Sequence, residues 1–152
     1  MKASFGGAFL MAVLMASPAI HAQAEPIDLS FKDMFRATGR GLSPTPALEA
    51  ANGKRVRVLG FMARLEEAPK GGFWLCSSPV FQDESGAGSG ELPPNAIYVI
   101  VRGAGKKPVA YLAGKLAISG VLQIKKEAPR LVLTLDSPKE IAPAKGKGSP
   151  RQ

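Results

Sequence analysis

Polar and apolar residues alternate with a period of two from Lys54 onward. In Arg55-Val56-Arg57-Val58-Leu59-Gly60-Phe61-Met62-Ala63-Arg64-Leu65 the opening arginines and valines define two faces, and beyond Gly60 both faces become apolar. That pattern predicts a long strand, with a bulge or sharp coil at its interior glycine. Pro69 to Gly72 reads as a turn, and Gly72-Phe73-Trp74-Leu75-Cys76 as a second strand. Ala96 to Val101 is a nearly continuous apolar run that reads as a further strand. Gly103 to Pro108 is a basic turn, and Val109 to Leu112 a short strand or bend. Leu116 to Ile124 is another strand, again with a central glycine, Gly120. After a turn over Lys125 to Pro129, Arg130 to Leu135 is the last strand, with Leu131, Leu133 and Leu135 on one face.

Helical periodicity is confined to the segment before these strands. Ile27, Phe31, Met34 and Phe35 fall at helical spacing, with Asp28 or Ser30 as caps and Gly39 and Gly41 as stops, which predicts a short helix within 25–41. Thr45-Pro46 opens a second, with Thr45 capping, Pro46 at the first helical position and Gly53 at the exit. Five curved strands over 42–137, with glycine bends at Gly60 and Gly120, suit a mainly β fold. The expected form is a small five-stranded barrel of the oligonucleotide/oligosaccharide-binding (OB) type, preceded by one or two short helices, with an open sandwich as the alternative.

The stretch 77–95 has no regular period. A loop that long in a small domain is commonly functional. Its Gly86-x-Gly88-x-Gly90 run is no phosphate loop, because no Gly-Lys-Ser/Thr follows, and its spacing is not that of a dinucleotide fingerprint.

The N-terminus changes what chemistry the chain is expected to use. Met1-Lys2, the apolar run Phe9 to Ala16, and Ala22-Gln23-Ala24 together read as a secretory signal peptide over 1–24. The apolar run is too short to span a bilayer. Cleavage near Ala24 leaves about 128 residues, one domain's worth, in a periplasmic or secreted chain with no transmembrane segment. It also removes His21, the only histidine, and with it the usual catalytic triads and a four-ligand structural zinc site.

Net charge is +8, concentrated toward the end, where Lys139, Lys145, Lys147 and Arg151 face Glu140 alone. The segment 138–152 reads as a disordered, solvated basic tail. Basic charge and a barrel fit a single-strand nucleic-acid binder, but the aromatics sit in apolar runs and export removes the usual cellular nucleic acids, so none is expected as a partner. The single cysteine, Cys76, cannot form an internal disulfide and reads first as a buried apolar residue. With Asp83, Glu84 and Glu91 it offers at most a mixed sulfur and oxygen set for a metal, while the carboxylates read more simply as solvated charge. No cofactor is expected.

Gly53 to Met62 with Leu65-Glu66 resembles a family of bacterial envelope proteins described only as a domain of unknown function, DUF3299. A strand ending in cysteine (Phe73 to Cys76), prolines before an apolar strand (Pro93, Pro94 and Asn95, then Ile97 to Val101) and Gly120-Val121-Leu122 carry the same resemblance over 42–136. It implies an exported, OB-like protein with an accessory binding role, some members accompanying transporter components. Where many members carry a histidine after the cysteine, this chain has Ser77-Ser78-Pro79 and a glycine-rich insertion, so the resemblance does not extend to a shared Cys/His site. The expectation is a non-catalytic periplasmic module binding a small ligand or envelope protein around 77–95. Its ligand-binding candidates are Cys76, Asp83, Glu84 and Asn95, and its structural positions Gly60, Gly120, Pro93 and Pro94. Metal handling through Cys76 and the loop carboxylates is the alternative.

Overall fold

The computed structural model describes residues 24–82 and 90–145. Nine strands and one α-helix follow in chain order. They are β1 (Ile27–Asp28), β2 (Phe35–Thr38), β3 (Gly41–Pro44), α1 (Pro46–Ala51), β4 (Arg55–Met62), β5 (Gly72–Cys76), β6 (Ile97–Val101), β7 (Lys115–Ile124), β8 (Leu131–Leu135) and β9 (Ile141–Pro143). Strands β4 to β8 pair in the order β4-β5-β6-β8-β7, and β7 returns to β4 to close a barrel. Every pairing around it is antiparallel except β6 with β8. The expected five-stranded barrel is present, and β1 and β9 are added to it.

Alternation fills the interior. Val56, Val58 and Met62 of β4 meet Phe73 and Leu75 of β5, Ile97, Val99 and Val101 of β6, Leu116, Ile118 and Leu122 of β7, and the three leucines of β8 in one core. Two glycines allow the central strands to change partners. β4 pairs with β7 from Arg55 to Phe61 and with β5 only at Phe61 and Met62. Gly60 stands at that handover, where an added Cβ would lie 2.7 Å from the Cys76 carbonyl oxygen. β7 leaves β4 for β8 at Val121, and Gly120 stands beside it, with Thr134 O 2.6 Å from the position of a Cβ. At both positions a side chain would meet backbone, so the bends read from the glycines have a steric cause.

The second anticipated helix forms as read. Thr45 Oγ1 accepts from Leu48 N at 3.2 Å, Pro46 opens the helix, and Gly53 adopts φ +76°. The first does not. Over 25–41 the chain makes β1, a single 3-10 turn at Phe31–Asp33, and the hairpin β2–β3, which begins with Phe35. The helical spacing of Ile27, Phe31, Met34 and Phe35 arises differently: Phe31 and Met34 are buried in the barrel core, whereas Ile27 stands exposed on β1. Tertiary contact here overrides a weak local preference. Thr45 fastens this segment to α1, its hydroxyl donating to Asp33 O and its N–H to Met34 O. Arg130 holds the hairpin, its guanidinium 5.4 Å from the centre of the Phe35 ring and donating to Leu42 O.

Two further expectations are corrected. Val109 to Leu112 forms no strand; only Pro108 bridges, to Lys70. The segment 138–145 is not a disordered tail. Ser137 caps a 3-10 turn at Pro138–Glu140, and β9 then pairs with β7, Ile141 opposite Ile118. Ile141 packs on the core, which supplies the apolar anchor the basic composition concealed. The rest of that tail, and residues 1–23 of the segment 1–24 expected to be a signal peptide, lie outside the described residues. No helix among the described residues is long and apolar enough to cross a membrane.

Candidate functional site

β1 and β9 occupy the edges that the barrel strands leave free. β1 runs parallel to β4 at Val56 and Arg57, on the side where β5 has not yet begun. β9 lies along β7 at Leu116 to Ile118, on the side where β8 has not yet begun. The outer faces of β1, β4, β7 and β9 thus form one surface. Its floor is set by register: Arg57 lies opposite Ser119, Leu59 opposite Ala117 and Phe61 opposite Lys115. Small side chains on β7 keep the floor low. Residues 28–33 rise along one side and 139–145 along the other, enclosing an open groove of about 1190 Å³.

Charge is distributed unevenly in it. Arg57 makes a bidentate pair with Asp28, at 2.6 and 2.9 Å. That hydrogen-bonded partner holds the Asp28 carboxyl below its ordinary range and raises the guanidinium's pKa. Arg55 is paired with Glu140 and lies 3.7 Å from Asp136, and the second Glu140 oxygen accepts from Asp136 N at 2.7 Å. Both arginines are therefore neutralised by carboxylates. Lys32, Lys115, Lys139 and Lys145 line the same groove and have no carboxylate within ion-pair distance among the described residues.

Three of these lysines belong to one end. Lys115 pairs across from Phe61, and Lys145 follows Ala144, whose N–H donates to Lys115 O at 2.9 Å. Lys32 follows Phe31, whose ring abuts Gly60. Ser77 lines the same groove just after Cys76, the β5 partner of Phe61. Lys139 stands at the other end, beside Glu140. Between the ends lies Leu59, 45% exposed, with Ala117 and Ala142 lining the groove beside it.

Of the anticipated site residues, Cys76 and Asn95 lie away from this groove. Cys76 points outward from β5 and is nevertheless fully buried, because the crossover after it folds back over the barrel wall. Val80, Ala96, Ala63, Leu65, Leu92 and Trp74 enclose it. Arg64 N donates to Val80 O and Gln82 N to Arg64 O, tying that crossover to the end of β4. Burial pushes the thiol up to about 11, so it is protonated at neutral pH. Pro93 to Ala96 is a turn closed by Ala96 N to Pro93 O at 2.9 Å, with Pro94 at the position that favours proline. Asn95 is half-buried in that turn, and only its neighbour Ala96 joins the cysteine cluster. Asp83 and Glu84 lie outside the described residues. Among the described residues no three His, Cys, Asp or Glu side chains converge as a metal-binding group.

The groove residues were legible only in hindsight of register. Leu59 breaks the run of outward arginines on β4, and Lys115, Ala117 and Ser119 share a face at spacing two. Neither pattern says that two terminal segments wall them in.

The architecture is that of an OB-like barrel with added edge strands. The fold is similar to the crystal structure of a DUF3299 family protein from Pseudomonas aeruginosa PAO1, with a TM-score of 0.52 over 82% of this chain and 99% of that one. At 11% identity the likeness is one of fold, which is DUF3299-like. No family model matches the sequence, and no curated protein matches it.

Proposed function

We propose that this protein is an exported, non-catalytic binding module of the bacterial envelope, and that its groove receives an anionic ligand or the acidic surface of an envelope partner. One observation carries the reading. The groove's arginines are already satisfied by carboxylates, whereas Lys32, Lys115 and Lys145 gather at one end with no carboxylate within ion-pair distance among the described residues, and outnumber Asp33, the acidic residue beside Lys32 on the lining. Unpaired cations at a recess raise the local concentration of anions and strengthen their capture. Lysine suits this role as a mobile point charge for phosphate or carboxylate. Export is supported by the charged start, apolar run and Ala-x-Ala of the first 24 residues.

The test is an NMR titration of the processed protein with sn-glycerol 3-phosphate. Shift changes are expected at the amides of Lys32, Lys115 and Lys145, and their loss in Lys115→Gln. Changes centred instead on 64–82, or untouched by Lys115→Gln, would move the site off the groove. Periplasmic fractionation with N-terminal sequencing tests export, and a full-length cytoplasmic chain would defeat that part.

A further inference from the structure

The groove is not uniformly polar, and that narrows its ligand. A site for a wholly hydrophilic anion, such as a sugar phosphate, would meet polar groups along its length. Here the cationic end gives way to a row of exposed Leu59, Ala117 and Ala142, side by side across β4, β7 and β9. Leu59 faces outward on a strand whose earlier outward positions are arginines. Water against this strip gains nothing by staying, and an apolar group laid along it would remove both surfaces from solvent. At the far end Arg57 and Arg55 are held by Asp28, Glu140 and Asp136, which leaves Lys139 as the groove's single unpaired cation there among the described residues, against three lysines at the opposite end. The polarity is thus directional: three unpaired lysines, then an apolar row, then paired arginines with Lys139.

We infer that the groove binds an anionic amphiphile, with its phosphate or carboxylate head at Lys32, Lys115 and Lys145 and its apolar chain along Leu59, Ala117 and Ala142. This rests on the anion-binding reading above and adds the chain. Ser77 and Ser119 lie on the lining and serve as hydroxyl partners for the head and for its linkage to the chain. The apolar strip sets the preference for amphiphiles over bare anions, and the lysines set the preference for anionic over zwitterionic heads.

The experiment compares three soluble probes by calorimetry: sn-glycerol 3-phosphate, dihexanoyl phosphatidic acid below its micellar concentration, and dihexanoyl phosphatidylcholine. Phosphatidic acid is expected to bind at least about tenfold more tightly than the head alone, the scale of burying a few methylenes. Phosphatidylcholine is expected to bind more weakly than phosphatidic acid. In Leu59→Gln, and independently in Ala117→Phe, which fills the floor, the advantage of the chain should vanish while glycerol phosphate binding stays. Lys115→Gln should weaken both anionic probes. Equal binding of the two, or a chain advantage that survives both floor variants, would overturn the amphiphile while leaving an anion site. Failure of every anionic probe would overturn both readings. Flotation with phosphatidylglycerol vesicles separates the sources: capture that depends on Leu59 marks a lipid met in the bilayer, and binding of the soluble probe alone marks a free amphiphile.

Discussion

The ring of Phe31 enters the barrel at Gly60: a Cβ on Gly60 would lie 3.0 Å from Phe31 Cε2. The segment that walls the groove is therefore keyed into the core at the residue where β4 changes partners. Gly60→Ala should destabilise the protein by about 1–3 kcal/mol, since the methyl meets the ring, Leu75 and the Cys76 carbonyl together. Urea denaturation measures this. Phe31→Ala removes the key and should cost about 3 kcal/mol. An unchanged midpoint for either variant would refute the keyed arrangement.

Cys76 predicts a pH dependence with a defined sign. The folded protein holds the thiol near 11 against an ordinary value of 9.0, so between these the native state binds more protons than the unfolded one. Stability is full below about 9 and falls as pH rises toward 11, by on the order of 2 kcal/mol. Cys76→Ala should flatten the profile across that window. At pH 8 a thiol reagent should label native protein far more slowly than urea-unfolded protein.

Asp28 restrains Arg57. Asp28→Asn should leave the guanidinium free in the groove and tighten binding of an anionic probe about two- to fivefold at low salt, less in 0.5 M salt, as roughly expected of an exposed charge. Because the carboxyl is held below its ordinary range, the pair's contribution is present at neutral pH and fades on acidification through that lowered value. Titration of the probe at two ionic strengths checks the first statement.

Glu140 joins three features through two oxygens: Arg55 of β4, the Asp136 N–H and the turn that launches β9. Glu140→Gln should cost about 1–2 kcal/mol. It should also accelerate amide exchange at Ile141 and Ala142 before the barrel strands respond. Uniform exchange across all strands would mean that β9 does not depend on this carboxylate.

The barrel strands could be read in advance because each repeats a period of two long enough to be distinctive. Val56 and Val58 against Arg55 and Arg57, and Leu131, Leu133 and Leu135, state their faces outright. Gly60 and Gly120 announced the bends, since only a residue without a side chain fits so close to neighbouring backbone. The cap of α1 was equally explicit in Thr45-Pro46. What escaped reading lies at the ends and depends on distant partners. Phe31 and Met34 carry helical spacing but are buried by a core assembled from residues far along the chain. Ile141 is one apolar residue among lysines and prolines, and nothing local says that β7 has an unfilled edge for it. Cys76 was rightly read as buried, and Val80 and Ala96 make part of the crossover beside it an apolar cover on the barrel wall. The groove depends on register between β4 and β7, which brings Leu59 beside Ala117, and on two flanking segments, so its composition was visible and its assembly was not.

The groove's opposite walls come from opposite extremities of the described chain. During synthesis Phe31 and its neighbours emerge early and Ile141 only after β8, so the recess gains its second bank only after every barrel strand has been made. A molecule cut short before β9 would lack the bank bearing Lys145, so an intact recess would report that synthesis had passed β9.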